Sequence, residues 1–178
     1  MLSPAPFLRM AKSASRRFSS SGCYAPALAV AMAGMILSGT TRALAGDACD
    51  LMVAKLAADH GVQFERRTEG GLIHLKHPLA RSLSIDCSRS YRPVNLFVSW
   101  NGAFPTADFY TFVGRIGAVV VGKPAAAIEA GSKRCQRAAL KDKDEQSEIR
   151  TGGLEFDCQA FTRDGGSSAF TIVPDQPV

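Results

Sequence analysis

Leu83-Ser84-Ile85-Asp86-Cys87 and Leu154-Glu155-Phe156-Asp157-Cys158 are the two stretches on which the reading of this chain turns. In each, apolar residues alternate with polar ones, the period-2 pattern of a strand with one face in a core. Each ends on a cysteine at apolar parity. Each also follows a helical pattern that carries a cysteine of its own, Cys49 or Cys135.

Outward from the first stretch, Cys49, Met52, Val53 and Leu56 fall at i, i+3, i+4 and i+7, which predicts a helix over 48–60. Asp47 would cap it, and Gly61 suits the left-handed position that ends it. Residues 62–66 alternate as a strand, Glu69-Gly70-Gly71 supplies a turn, and 72–77 form a second strand stopped by Pro78. The third strand runs over 83–87. The fourth places Val94, Leu96, Val98 and Trp100 on one face.

Thr106 then caps a helix to about Val121, with Phe109, Phe112, Val113, Ile116 and Val120 inward; its β-branched end, 116–121, also suits a strand. Gly122 closes it, and Pro124 opens a third helix running to about Leu140. Residues 141–146 alternate charges as a solvated connection. Strands over 147–151, 154–161 and 168–173 follow, turned by Gly152-Gly153 and Asp164-Gly165-Gly166. Strands and helices in blocks predict an α+β fold: an antiparallel sheet of about six to seven strands, an N-terminal helix and a central pair of helices, braced by disulfides.

The disulfide expectation rests on Cys49, Cys87, Cys135 and Cys158. All four lie on inward stripes, and they allow three pairings. A sequence echo bears on the choice. Leu83–Cys87 matches Leu154–Cys158, while residues 65–72 match 148–154 in a different register, the second half being about one strand short. Recurring turn-and-strand grammar is the plainer reading; a true duplication would pair Cys49 with Cys87 and Cys135 with Cys158.

Residues 1–45 read as a leader. A basic start (Arg9, Lys12, Arg16, Arg17), an uncharged apolar run of 13 residues over 25–37 and the Ala43-Leu44-Ala45 end describe a secretory signal peptide cut after Ala45. The run is short of the roughly 20 residues that span a bilayer. The basic, Ser-rich start also suits mitochondrial import if the source is a eukaryote. Arg16-Arg17 resembles a twin-arginine signal, but Phe18 follows the pair directly. Cleavage leaves 46–178, the size of one ordinary domain, with no second long apolar run and so no stable membrane insertion.

The leader also accounts for the formal charge of +5. It holds five Lys/Arg and no Asp/Glu, so of 21 basic residues 16 remain, against 16 acidic ones. A neutral mature chain lacks the basic footprint of a nucleic-acid binder.

A search for chemistry returns little. His74 and His77, three apart on a strand, point to opposite faces, and His60 sits at a helix C-terminus where it favours the dipole; structural roles are expected for all three. There is no G-x-S-x-G elbow, no C-x-x-C and no phosphate loop: Gly114 and Gly117 lie inside a helix. Ser167-Ser168 reads as hairpin turn material, Asp142 and Asp144 as a solvated face, and Asp86 and Asp157 as outward surface acids. No metal or cofactor is implied. The most distinctive surface stretch is Ser88-Arg89-Ser90-Tyr91-Arg92-Pro93. It reads first as an ordinary loop, but Arg89 and Arg92 around Tyr91 offer forked donors and a flat ring to an anion or a partner's carboxylate. Trp100 would add an aromatic contact unless it is a core residue at a strand's end.

The sequence therefore predicts an exported, periplasmic or secreted, disulfide-braced module that binds a periplasmic or envelope protein, without nucleic acid. The alternatives are a small periplasmic hydrolase with dispersed residues, such as a cleft of His74, Asp86 and Arg89, and an envelope protein that steadies its neighbours by weak contacts.

Overall fold

A computed structural model of the chain describes residues 46–88 and 94–175. The leader and the 89–93 stretch lie outside them. The elements run α1 (Gly46–His60), β1 (Gln63–Arg67), β2 (Leu72–His77), β3 (Ala80–Asp86), β4 (Asn95–Asn101), α2 (Ala107–Val121), α3 (Ala125–Ala139), β5 (Gln146–Thr151), β6 (Leu154–Phe161) and β7 (Ser167–Pro174). All seven strands join one antiparallel sheet in the order β1-β2-β3-β4-β7-β6-β5. This is the α+β fold expected from the block pattern.

The helices take one face of the sheet. A buried row crosses it by register, Ile73–Ile85–Leu96–Ile172–Phe156. The next such row carries Leu75, Leu83, Val98, Phe170 and Cys158. Phe109, Val113, Ile116 and Ile128 meet these rows from α2 and α3 and are fully buried. Glycine sets how closely the layers approach. A Cβ on Gly114 would sit 2.7 Å from the Ala125 carbonyl oxygen, and one on Gly131 would lie 2.3 Å from the Phe156 ring.

Local signals explain the helix ends. Thr106 Oγ1 accepts the Phe109 N–H at 3.3 Å at the start of α2, and Gly122, at φ 67°, ends it. The β-branched run 116–121 is helical, because Val113, Ile116 and Val120 then all bury on one side. Several boundaries differ from the sequence reading. α1 begins at Gly46, so Asp47 lies within its first turn. β3 begins at Ala80, because Pro78-Leu79 alone turn the chain. Ser167 and Ser168 belong to β7, not to the turn, and Ser168 is buried.

Both disulfides tie a helix to the sheet: Cys49–Cys87, with Cα atoms 6.5 Å apart, and Cys135–Cys158, with Cα atoms 5.9 Å apart. Of the three possible pairings, this is the one that the echo pointed to. The register shows why the echo runs as it does. β4 and β7 are the central antiparallel neighbours, and Leu96 faces Ile172. Ile85 pairs with Leu96 on one side, and Phe156 pairs with Ile172 on the other. A two-fold axis through the Leu96/Ile172 pair therefore carries Leu83–Cys87 onto Leu154–Cys158, residue for residue. β1 has no counterpart, which is the strand by which the second half is short.

Among the described residues no single helix is long and apolar enough to cross a membrane. α2 and α3 reach that length only as a pair bent by 120°, and both pack on the sheet.

Candidate functional site

The face of the sheet away from the helices carries no element among the described residues. Its central row reads, by register, Arg66, His74, Ser84, Phe97, Thr171, Asp157 and Glu148. Beside it runs Ser82, Ser99, Ala169, Gln159 and Gln146. Small residues dominate the middle, and Ser84 and Ser99 are buried there although no helix among the described residues covers them. Cationic side chains (Arg66, Lys76) stand toward β1–β2 and acidic ones (Glu148, Glu155, Asp157) toward β5–β6. Two grooves follow from this relief. One, of about 530 Å³, is lined by Glu65, His74, Lys76, Arg81 and Ser82 among others. The other, of about 510 Å³, runs past Phe97, Thr171, Asp157 and Gln159.

At the acidic end, ligand atoms of Glu148, Glu155 and Asp157 lie within 4.8 Å of one another. Burial, and then the Glu148 charge, holds the Asp157 carboxyl above the usual range. Arg150 already bonds Glu155 at 2.9 Å and Glu148 at 3.1 Å. That guanidinium supplies the positive charge the cluster needs.

The histidines part company as their spacing predicted. His74 faces the bare side, opposite Ser84. His77, past a bulge in β2, turns to the helices and stacks on Phe112 with ring centres 3.9 Å apart. Its Nδ1 accepts the Leu79 N–H at 3.2 Å, which leaves the neutral ring's proton on Nε2. Burial and then the neighbouring His60 hold its pKa below 6.5. Both imidazoles border a cleft of about 390 Å³ with Asp59, Asp108, Thr111 and Arg115. The hydrolase alternative rests on His74, Asp86 and Arg89. His74 lines the first groove, Asp86 accepts the Ser88 N–H at 2.8 Å at the end of β3, and Arg89 lies outside the described residues.

Of the binding candidates, Arg89, Tyr91 and Arg92 also lie outside the described residues. Trp100 is half-buried on the helix side, 5.2 Å from the Phe109 ring, at the strand end and against the core. Sequence reasoning missed a buried polar cluster around the β4–α2 connection. The Tyr110 hydroxyl donates to Gln136 Oε1 at 2.8 Å, Gln136 Nε2 donates to the Ala103 carbonyl, and Ser168 Oγ lies 3.1 Å from the Gly102 and Ala103 carbonyl oxygens. Burial pushes the Tyr110 phenol up to about 12, so it stays a donor. The signal was available in Gln136, a polar residue on the inward stripe of α3, one position after Cys135.

The described residues thus form an antiparallel sheet roofed by helices on one side and bare of them on the other, with each half stapled by its own disulfide. No protein-family model matches this chain, and neither a curated protein nor a solved structure matches it.

Proposed function

We propose that the chain is exported, loses residues 1–45 and acts as a single non-catalytic module, 46–178, that binds an envelope protein through the bare face of its sheet. Two disulfides are at home in an oxidising compartment, which supports export. The observation that carries the binding reading is the sheet face that no element among the described residues covers. Its half-buried Phe97 and Thr171 line a groove in a small-residue centre, with opposite charges at the two ends. Such a surface offers a partner apolar contact in the middle and charge complementarity at the rim.

A photo-crosslinking residue placed at Phe97 or Thr171, and at exposed Lys55 or Arg134 on the helices as controls, tests this in periplasmic extract. One envelope protein captured in stoichiometric amount from the sheet positions alone is expected. Equal capture from both sides, or small-molecule turnover with no partner, would remove the binding reading.

A further inference from the structure

We propose that two copies of this chain pair through β5, in one register, to form a two-fold dimer with a continuous sheet. Among the described residues β5 is an edge: it pairs with β6 and with nothing on its other side. The two edges of the sheet are not alike. β1 is interrupted by a bulge between Phe64 and Arg66, its Glu65 is engaged by Lys76 at 3.0 Å, and its Arg67 by Asp50. Bulges and engaged charges are how natural edges are blunted. β5 has no bulge: its six residues pair with β6 without a register shift, and its charges, Glu148 and Arg150, bond each other and Glu155 on the strand's own face. An unbroken edge strand offers a row of unpaired backbone groups to another strand.

Which groups are offered follows from the ladder. The Ala160 N–H donates to the Glu145 carbonyl at 2.9 Å, just before β5 begins, and two glycines at positive φ close the hairpin at the other end. Hydrogen-bonded pairs alternate along an antiparallel ladder, so residues 145, 147, 149 and 151 turn their N–H and C=O to β6. Gln146, Glu148 and Arg150 turn theirs outward.

Those three residues fix the partner. A second β5, antiparallel to the first, must bring outward-turned residues opposite one another. Glu148 against Glu148 or Arg150 against Arg150 sets like charges face to face. The register centred on Ile149 instead sets Glu148 of each copy against Arg150 of the other, twice, by symmetry. Both side chains are more than half exposed, so they are available to exchange their present contact across the seam. Opposite-charge complementarity in that single register makes the strand its own best partner. This inference does not rest on the bare-face reading. The seam lies at the edge of the sheet, and the face stays open on both copies.

Sedimentation velocity across a concentration series, with charge reversal, tests it. The wild-type chain is expected to show a monomer–dimer equilibrium. Glu148→Arg alone and Arg150→Glu alone should each weaken it by ~10-fold or more, because each sets like charges across the seam. Mixed together, the two single variants become complementary and should associate with each other. Amide exchange on the wild-type chain gives a reading that needs no variant: the Glu148 and Arg150 amides should gain protection as concentration rises, while those of β1 do not. A wild-type chain that stays monomeric throughout, single variants that dimerise as well as wild type, or a mixture that associates no better than its components would overturn the proposal.

Discussion

His77 joins an apolar stack to a titratable ring. Packed on Phe112 and accepting the Leu79 N–H, it is best accommodated neutral, and burial followed by His60 lowers its pKa from 6.5. The unfolded chain then takes up the proton at higher pH than the folded one. Stability contributed by the neutral ring is therefore complete above about pH 6.5 and is lost as pH falls through the folded value. His77→Phe keeps the stack and removes the titration. Urea midpoints measured from about pH 7.5 to about pH 5 should fall less steeply for this variant than for wild type. Parallel curves would refute the assignment. Gly131 is the opposite kind of residue, defined by what it lacks. A methyl there would meet the Phe156 ring, itself fully buried, at 2.3 Å. Gly131→Ala should cost about 1–3 kcal/mol, read as a lower urea midpoint at unchanged slope. Gly70→Ala, whose nearest neighbour is 3.9 Å away, should cost far less. Neither effect was legible in sequence, since a histidine's stacking partner and the clearance over a glycine come from other elements.

At the scale of elements the sequence was most informative. Period-2 alternation placed β2, β3, β4, β6 and β7, and apolar spacing placed all three helices, because each such element has one face in the core. β1 was right for a weaker reason. All five of its residues are exposed, Phe64 by 56%, so its alternation marks no burial. Boundaries slipped where backbone chemistry decides them, as at Ala80 and Ser167. The cysteines gave more than position. The pairs Cys49–Cys87 and Cys135–Cys158 were one of three options and the one that the repeated Asp-Cys strand pointed to. Each bond closes its own loop, 38 residues apart in one and 23 in the other, and each restricts the unfolded chain by about 3–4 kcal/mol in the chain-entropy account. Replacing either pair by serine should lower stability by that amount, and losses from the two pairs should add, since they lie in opposite halves. Thermal unfolding of both double-serine variants and the four-serine variant checks this. Strong non-additivity would mean that the halves are not independently stapled.

For the whole molecule, fold class was legible and sheet order was not. Alternation tells a residue its face but not its strand's neighbour, so nothing in the sequence said that β4 and β7 meet while β5 lies at the rim. The bare face was hidden for the same reason. His74, Phe97, Thr171 and Asp157 read as ordinary outward positions of separate strands, and only register lines them up. Of the binding candidates read from the sequence, Trp100 lies on the helix side, and Arg89, Tyr91 and Arg92 lie outside the described residues. The central place of β7 has a consequence for how the chain matures. It follows the other six strands in sequence, yet both halves of the sheet join through it. A nascent polypeptide that has emerged only as far as β6 owns two separate half-sheets and no seam between them. Closure must wait for the final strand to arrive, so the seven-stranded sheet is complete only when almost the whole chain is present.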